Sequence, residues 1–333
     1  MPLVCAGFFT CPVAPVHSRD AKHLALHLPR RPMMFAWLAA GFIAGLIARR
    51  AFTIPDAAPD AINTYIIYLA LPAMILLRVP ALEMNARALL PVGFAWLVVL
   101  GCAAVVLVLA RAHRWPRDIT GALLMVAPLS NSAYVGIPVT DALTAGSATP
   151  YAILYDQLGN FVALSVYGTL ITVVFGQTER ASVATIARRI LLFPPFLTLL
   201  VALALGPGTL PPAVTVPLGW LGATMGPVAM FIVGVQLELT VPASLRRPLG
   251  YGLATCLVVA PGLALGAALV IGGGGEAARA SILQAAMPPM ITAALLAMAA
   301  GFSRRLTVAM VGIGSLISLL TVPLVAWLAD GVV

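Results

Sequence analysis

The chain has 333 residues, of which 61% are hydrophobic and 9% are charged, with a formal net charge of +8. A water-soluble domain of this length cannot bury so much apolar surface, because its exterior must still meet water. A bilayer removes that constraint, since about 20 apolar residues span its hydrocarbon core. The composition therefore excludes a soluble globular protein and indicates an integral membrane protein whose surroundings are the lipid bilayer.

The positive charge does not indicate a nucleic-acid partner. Arginines occur as pairs and triplets between apolar stretches, and not on a face interleaved with aromatic residues. The four cysteines show no metal-ligand spacing, and two of them lie inside apolar segments. They are Cys5, Cys11, Cys102 and Cys256. We therefore expect no nucleic-acid partner, no metal site and no cofactor.

In chain order, the apolar stretches predict an all-α membrane protein with about ten transmembrane helices. The predicted spans are 33–50, 60–79, 88–110, 118–140, 148–176, 189–206, 212–237, 248–271, 279–301 and 305–329. The fourth, fifth, seventh and ninth spans are rich in Pro, Gly, Ser, Thr or Asn. Such a composition is unusual for helices that only face lipid.

Arginines in the short loops predict the orientation, because cytoplasmic loops are enriched in basic residues. One alternating set of loops holds many arginines, and the other set holds few. The richer set, expected to be cytoplasmic, is Arg49, Arg50, Arg111, Arg114, Arg117, Arg180, Arg188, Arg189, Arg246, Arg247, Arg304 and Arg305. The poorer set is Arg78, Arg87 and Arg279. Both ends of the helical unit are then periplasmic, and the Arg- and Ala-rich composition favours a bacterial inner membrane.

Residues 1–32 are predicted to be an N-terminal extension outside the helical unit. They carry four basic residues on what would be the outer face, and they lack the basic start and long apolar stretch of a signal peptide. Two explanations stay open. Either translation begins at Met33 or Met34, or the extension is genuine.

A short internal echo predicts two inverted repeats. Pro72 in the second span has a counterpart in Pro227 of the seventh, 155 residues later. Pro128 in the fourth span has a counterpart in Pro288 of the ninth, 160 residues later. A unit of five spans begins and ends on opposite sides of the membrane, so its copy is inserted upside down. The predicted division is repeat 1 at 33–176, a cytoplasmic linker at 177–188 and repeat 2 at 189–333.

Two proline-interrupted segments are predicted to meet at mid-membrane and form a binding site. They are Pro128-Leu-Ser-Asn131-Ser-Ala-Tyr134-Val-Gly136-Ile-Pro138 and Met287-Pro288-Pro289-Met290-Ile291-Thr292. Proline displaces the preceding residue from helical geometry, so Ile137, Met287 and Pro288 are expected to be extended. Unwound backbone persists in a membrane only where it is buried in protein or lines a wet cavity. Its free amides and the positive end of the next half-helix suit an anion; a simple proline kink is the alternative.

At these residues the sequence resembles the auxin efflux carrier family of transporters, which includes plant auxin exporters and many bacterial members. The resemblance covers about 33–329. It is carried by Asn131, Gly136 and Pro138, and by Leu71-Pro72, Asp156-Gln157, Asn160, Pro194-Pro195, Gly234, Pro288, Ser315, Ser318 and Pro323. It implies a ten-helix fold like that of sodium–proton antiporters and bile-acid symporters, with crossing fourth and ninth helices. Helices 1, 2, 6 and 7 would form a scaffold, and helices 3–5 and 8–10 a moving transport domain.

The resemblance implies a carrier of a small organic anion, a carboxylate such as auxin, malate or malonate. Asn131 would contact the substrate, while Pro138 and Pro288 would shape the crossing. The rest of the expected substrate site is Ser130, Ser132, Tyr134, Gly136, Pro289 and Thr292. Pro289 departs from the family pattern, in which a small or polar residue is common, and makes that half of the pocket more apolar.

Asp156 is the acidic residue best placed inside the membrane. An intramembrane carboxylate is costly and is by default a functional candidate. We expect it to couple transport to H+ or Na+, with Gln157 and Asn160 nearby; the alternative is a structural hydrogen-bond partner. Arg78 is expected either to attract an anion at the outer mouth or to extend towards lipid headgroups.

An intramembrane enzyme, a passive channel and a membrane sensor are the alternatives to a carrier. An intramembrane enzyme needs a nucleophile and base, or a metal set, at membrane depth. The histidines all lie outside the predicted spans, at His17, His23, His27 and His113, so we expect no enzyme. A passive channel or membrane sensor stays open, although the duplicated five-span unit favours alternating access. The sequence leaves open the substrate, the coupling ion, the direction of transport and whether the chain forms a homodimer.

Overall fold

The computed structural model describes residues 31–55, 57–82, 85–176, 182–237 and 241–332. Over these ranges the chain is helical and contains no β-strand, as the sequence predicts. Most of the predicted N-terminal extension and residues 177–181 of the predicted linker lie outside them. The helices are α1 (Arg31–Ala51), α2 (Ala58–Ala81), α3 (Leu90–His113), α4 (Arg117–Val126), α5 (Ile137–Thr144), α6 (Thr149–Phe175), α7 (Val183–Leu191), α8 (Pro194–Ala204), α9 (Pro212–Val235), α10 (Ala243–Val270), α11 (Gly275–Ala285), α12 (Ile291–Ala299) and α13 (Arg304–Asp330).

Six of these helices are long and apolar enough to cross a bilayer, namely α2, α3, α6, α9, α10 and α13. A seventh candidate is the pair α7 and α8, which meets the same test together but is bent by 60°. These lengths exceed the roughly 20 residues that the hydrocarbon core requires. The chain is therefore a multi-pass membrane protein.

Helices α1, α2, α8 and α9 pack together as a first group. The closest approach is between α1 and α9, where a side chain on Gly41 or Gly45 would run into the backbone of Pro227 or Phe231. Small residues allow such close packing, which drives association between helices where lipid supplies no hydrophobic force. The first group is thus held by backbone proximity along one long pair of helices.

Helices α3, α4, α6, α10, α11, α12 and α13 form a second group. Much of its interior is an apolar cluster that includes Leu124, Met125, Ala163 and Met310. Helix α5 lies between the groups, in contact with α1 and α9 on one side and with α6 and α11 on the other. The molecule therefore has an interface between two helix groups, with α5 inside it.

The predicted helix over 189–206 differs in the structure, because α7 ends at Leu191 and α8 begins at Pro194. Phe193 between them is extended, with φ −70 and ψ 121. Proline disfavours helical geometry in the residue before it but fits the first turn of a helix. Pro194 and Pro195 therefore place the bend at Phe193.

The two interrupted segments meet each other. Helix α4 ends at Val126, and helical structure resumes in a π-helical turn over Ser132–Gly136 that leads into α5. The Asn131 N–H donates to the Pro288 carbonyl at 2.7 Å, and the Met290 N–H donates to the Leu129 carbonyl at 2.9 Å. Backbone groups that the two breaks leave free thus satisfy one another, which removes a cost of several kcal/mol per unpaired group in hydrocarbon.

The expectation that Ile137 is extended is wrong. Ile137 has φ −60 and ψ −52, which is helical, and the non-helical residues are instead 127–131. The N–H groups of Gly136 and Ile137 bond to carbonyls five residues back, at Asn131 and Ser132. Pro138 therefore falls in the first turn of α5, where proline needs no donor and causes no break. Met287 and Pro288 do lie in non-helical backbone.

We predict that Gly136→Ala destabilises the crossing. Gly136 faces the fully buried Gln284, whose Oε1 an added Cβ would overlap. Overpacking of this kind costs about 1–3 kcal/mol, and thermal unfolding in detergent should show a lower Tm. Gln284→Ala removes the overlapping amide, so the double variant should be more stable than the two single effects added together.

The matched control is Gly93→Ala, because an added Cβ at Gly93 meets no atom within 4 Å. It should not lower the Tm. Additive effects of Gly136→Ala and Gln284→Ala would show that this contact does not constrain the crossing.

Candidate functional site

A cavity of about 70 Å³ lies beside the crossing, between the two helix groups. The first group contributes residues of α2 and the residue at the α7–α8 bend, and the second group contributes the rest. The lining residues are Ile67, Leu71, Asn131, Ala133, Tyr134, Asp156, Gln157, Phe161, Leu164, Phe193, Met290 and Thr292. A cavity at the boundary of two helix groups would change its shape and its access to solvent if the groups moved relative to each other.

A buried hydrogen-bond network ties the first interrupted segment to α6. Ser132 Oγ donates to Asp156 Oδ1 at 2.6 Å, and Gln157 Nε2 donates to Asp156 Oδ2 at 2.6 Å. Asn160 Nδ2 donates to Ser132 Oγ at 2.7 Å and to the Ser130 carbonyl at 2.6 Å. Helix α6 is π-helical over Tyr155–Asn160, a deviation that is frequent at functional sites. Sequence-predicted residues of both kinds, substrate and ion, therefore lie in one network.

Asp156 is the charged group of this network. It is 2% exposed, and the hydrogen bonds to its carboxylate come from the neutral side chains of Ser132 and Gln157. The ion pairs found among the described residues do not include it. Because an isolated buried carboxylate is costly, this position favours a bound proton or cation.

The cavity also presents donors to a ligand. Asn131 Nδ2 is buried and has no hydrogen-bond partner among the described residues. Helical structure begins at Ser132 and at Ile291, and Ala133 and Thr292 from these first turns line the cavity. Helix N-termini carry partial positive charge and free N–H groups. Asn131 and the first turns of two helices thus lie at one cavity, an arrangement that would stabilise an anionic group.

The structure places the predicted site residues in two layers. On the cavity wall are Asn131, Tyr134, Asp156, Gln157 and Thr292. Behind the wall are Ser130, Ser132, Gly136, Pro138, Asn160, Pro288 and Pro289. The serines and Asn160 hold the network, and the Pro288 carbonyl pairs with the Asn131 N–H. Their position suits support of the cavity wall better than direct contact with a ligand.

Three of the residues behind the wall pack against other helices. Pro138 lies against α9, where a Cβ added to Gly226 would come within 3.1 Å of its ring. Pro289 lies against α13, where a Cβ added to Gly314 would come within 2.6 Å of its Cδ. Gly136 faces Gln284. The apolar character expected from Pro289 is therefore directed at helix packing and not at the cavity.

Two aromatic residues that the sequence did not single out close one side of the cavity. Phe161 of α6 and Phe193 at the α7–α8 bend stack with ring centroids 4.0 Å apart and planes 18° apart. They come from different helix groups. Pro194-Pro195 was a usable signal for the bend, but it does not indicate which aromatic ring Phe193 would contact.

An ion pair joins the helix groups elsewhere. Arg78 Nη2 lies 2.7 Å from Asp141 Oδ1, and Thr149 Oγ1 donates to the same oxygen at 2.8 Å. Arg78 lies near the end of α2, whereas Asp141 lies in α5 and Thr149 begins α6. The sequence suggested that Arg78 attracts an anion or extends to lipid headgroups. In the structure its charge is instead paired with Asp141. A second cavity of about 410 Å³ lies beside this pair, lined in part by Asn85 and Tyr151.

Comparison with known proteins identifies the family of this chain. The family described as membrane transport protein matches residues 34–326, a stretch that contains both interrupted segments and the cavity. An uncharacterized transporter of Methanothermobacter thermautotrophicus is 25% identical over 216 residues, which cover 62% of this chain and 67% of the relative. An uncharacterized transporter of Methanocaldococcus jannaschii is 24% identical over 284 residues, which cover 80% of this chain and 88% of the relative. The chain therefore belongs to the membrane transport protein family, the auxin efflux carrier family that its motifs resemble.

Proposed function

We propose that this protein is a secondary transporter that carries a small organic anion, a carboxylate, by alternating access. The observation that carries the proposal is the cavity at the crossing, whose wall includes Asn131, with its unpartnered Nδ2, and the first turns of two helices. Donors of this kind suit a carboxylate. Membership of a transporter family supports a transported substrate over a structural ligand as the bound group.

The proposal includes ten membrane helices in two inverted five-helix repeats. In this assignment α4 and α5 are the two halves of a broken fourth helix, and α11 and α12 are the halves of a broken ninth. The first helix group then corresponds to the scaffold and the second to the transport domain. Paired backbone at Leu129–Asn131 and Pro288–Met290 supports two equivalent breaks that cross. The arginine distribution supports an inner-membrane orientation with periplasmic ends.

The cavity walls favour one class of carboxylate. They include the aromatic rings of Tyr134, Phe161 and Phe193, and no Lys, Arg or His is among the described lining residues. A second carboxylate, as in malate or malonate, would lie near Asp156 without a cation to balance it. The walls therefore support a monocarboxylate with an apolar or aromatic body over a dicarboxylate. Binding of such a body requires the helix groups to separate, because the cavity measures about 70 Å³ and ligand sites typically measure roughly 300–1,000 Å³.

Asp156 gives this carrier a means of ion coupling. A substrate carboxylate and an ionised Asp156 in one small cavity would repel each other because both are negative. The low polarity of the surroundings strengthens this repulsion. A proton or a Na+ ion at Asp156 removes it. Substrate and ion should therefore bind together, which is the basis of symport.

Two contacts between the helix groups flank Asp156 along α6. Along α6, Thr149 at the Arg78–Asp141 ion pair comes before Asp156, and Phe161 at the aromatic stack comes after it. From Thr149 to Phe161 is about 18 Å at 1.5 Å per residue. Separation of one contact at a time would open the cavity to one side at a time, as alternating access requires. A channel would need both open together.

We predict that Asn131→Ala lowers uptake of the transported acid about tenfold or more. The variant removes a donor to a charged group, which contributes about 1.5–3 kcal/mol. Uptake is measured in proteoliposomes with malonate, malate and indole- or benzene-type monocarboxylates under proton and sodium gradients. We expect saturable, counter-substrate-stimulated uptake that is strongest for an aromatic monocarboxylate.

The matched control is Asn63→Ala, since Asn63 lies outside the cavity lining; it should transport normally. Non-saturable flux would support a passive channel. Absence of flux for every acid would contradict the carboxylate proposal and redirect the search to neutral or cationic solutes.

We predict that Asp156→Asn abolishes the stimulation of uptake by the coupling-ion gradient while substrate exchange without a gradient persists. The amide keeps the shape and one of the two acceptor oxygens, but it cannot take up a proton or hold a cation by charge. Initial uptake rates are measured across pH and across Na+ concentration. Asp118→Asn, at an exposed position on α4, is the control. Normal transport by Asp156→Asn with unchanged pH and sodium dependence would exclude the coupling role.

A further inference from the structure

Helix α7 (Val183–Leu191) has an unusual position for an apolar protein of this kind, because none of its residues is buried. It is a separate, capped helix: Ser182 Oγ accepts a hydrogen bond from the Thr185 N–H at 3.1 Å. It ends just before the bend at Phe193, and its axis departs from that of α8 by 60°. Since α8 is proposed to enter the hydrocarbon, α7 runs at a steep angle to a membrane span.

The side chains of α7 divide into three sectors around its axis. At about 100° per residue, Ile186 and Ile190 fall on one side, and both are half-buried against the protein. A second sector of about 80° holds Val183, Ala187 and Leu191. A third sector of about 100° holds Thr185, Arg188 and Arg189, all exposed.

The apolar second sector has no cover within the described part of the chain. Val183 is 83% exposed and Leu191 is 53% exposed. In water, such a surface would be unfavourable by roughly 25 cal/mol per Å². Because α7 is followed directly by the apolar helix α8, this sector lies next to the bilayer, whose hydrocarbon can cover it.

The charged third sector has no counter-charge among the residues that the structure describes. Arg188 and Arg189 take part in none of the ion pairs found among the described residues. Helix α7 contains no acidic residue. Two guanidinium groups beside an apolar sector suit the phosphate oxygens of a lipid headgroup, to which arginine donates paired hydrogen bonds.

We propose that α7 lies in the plane of the membrane interface and that Arg188 and Arg189 bind the headgroup phosphates of anionic phospholipids. The apolar sector identifies the occupant as lipid, because free phosphate would satisfy the arginines but leave Val183 and Leu191 in water. The interface helix is joined to Phe193 through Leu192 alone. Lipid bound to α7 therefore fixes the chain next to the ring that stacks on Phe161 and closes the cavity.

The first test measures lipid binding to the purified full chain in detergent by native mass spectrometry, with phosphatidylglycerol and phosphatidylcholine. Arg188→Gln/Arg189→Gln should lower the affinity for phosphatidylglycerol about 25-fold, at roughly fivefold for each arginine near an anionic surface. Affinity for phosphatidylcholine should not change. The control is Arg304→Gln/Arg305→Gln, which removes the same charge from an exposed arginine pair at the start of α13.

Phosphatidylglycerol binding that is unchanged in the α7 variant, or equally reduced in the control, would overturn the proposal. Inorganic phosphate at the same concentration serves as the competitor. If it displaces phosphatidylglycerol from α7, the site binds free anions and the lipid assignment is wrong. These readouts do not involve transport, so they can fail or succeed independently of the proposed carrier function.

The second test measures depth in vesicles of phosphatidylcholine and phosphatidylglycerol. Cys5→Ser and Cys11→Ser leave Cys102 and Cys256, which are buried, so a cysteine introduced at Val183 or at Thr185 can be labelled with an environment-sensitive fluorophore. The label at 183 should be quenched by lipids brominated on the acyl chain, and the label at 185 by aqueous iodide. Aqueous quenching of both labels would show that α7 does not lie in the interface.

Discussion

The structure depends on one constraint: peptide groups in the membrane interior must find hydrogen-bond partners, because lipid offers none. Helical structure stops at two proline-containing segments, and each interruption exposes such groups. The hydrogen bonds from Asn131 to Pro288 and from Met290 to Leu129 satisfy them reciprocally. Because neither break is stable without the other, the two half-helices that follow are held with their N-termini at one place. The cavity, its donors and its polarity follow from that arrangement.

The same requirement for hydrogen-bond partners applies to the buried side chains, including the Asp156 carboxylate. Ser132 accepts from Asn160 and donates to Asp156, so one hydroxyl connects the first break to α6 and orients the carboxylate. The partners of that carboxylate are neutral, which leaves its charge to be balanced by a proton or a cation. A site that is stabilised by an ion and faces an anion-binding surface links the two ligands energetically. In this way a packing requirement of the crossing becomes a candidate mechanism for coupling.

Part of this was predictable from the sequence. Apolar stretches predict the helices, and the prolines predict two interrupted segments that meet. The polar run around Asn131 and the intramembrane Asp156 indicate candidate residues, but they do not indicate that Ser132 and Asn160 join the two. The conformation of Ile137 was not predictable from proline chemistry, because a π-helical turn shifts the hydrogen-bond register before Pro138. The Arg78–Asp141 pair and the Phe161–Phe193 stack join residues far apart in the chain. Such pairs depend on how the helix groups pack, which local patterns do not encode.

The most direct test of the account is to locate the substrate itself. The aromatic monocarboxylate with the highest uptake would be prepared with a bromine on its ring and bound to the purified protein for crystallography at the bromine absorption edge. The account predicts an anomalous peak beside Phe161 and Phe193, with the carboxylate at Asn131 Nδ2. A peak instead in the larger cavity beside Arg78 and Asn85, in a protein that transports the acid, would contradict the assignment of the crossing as the substrate site.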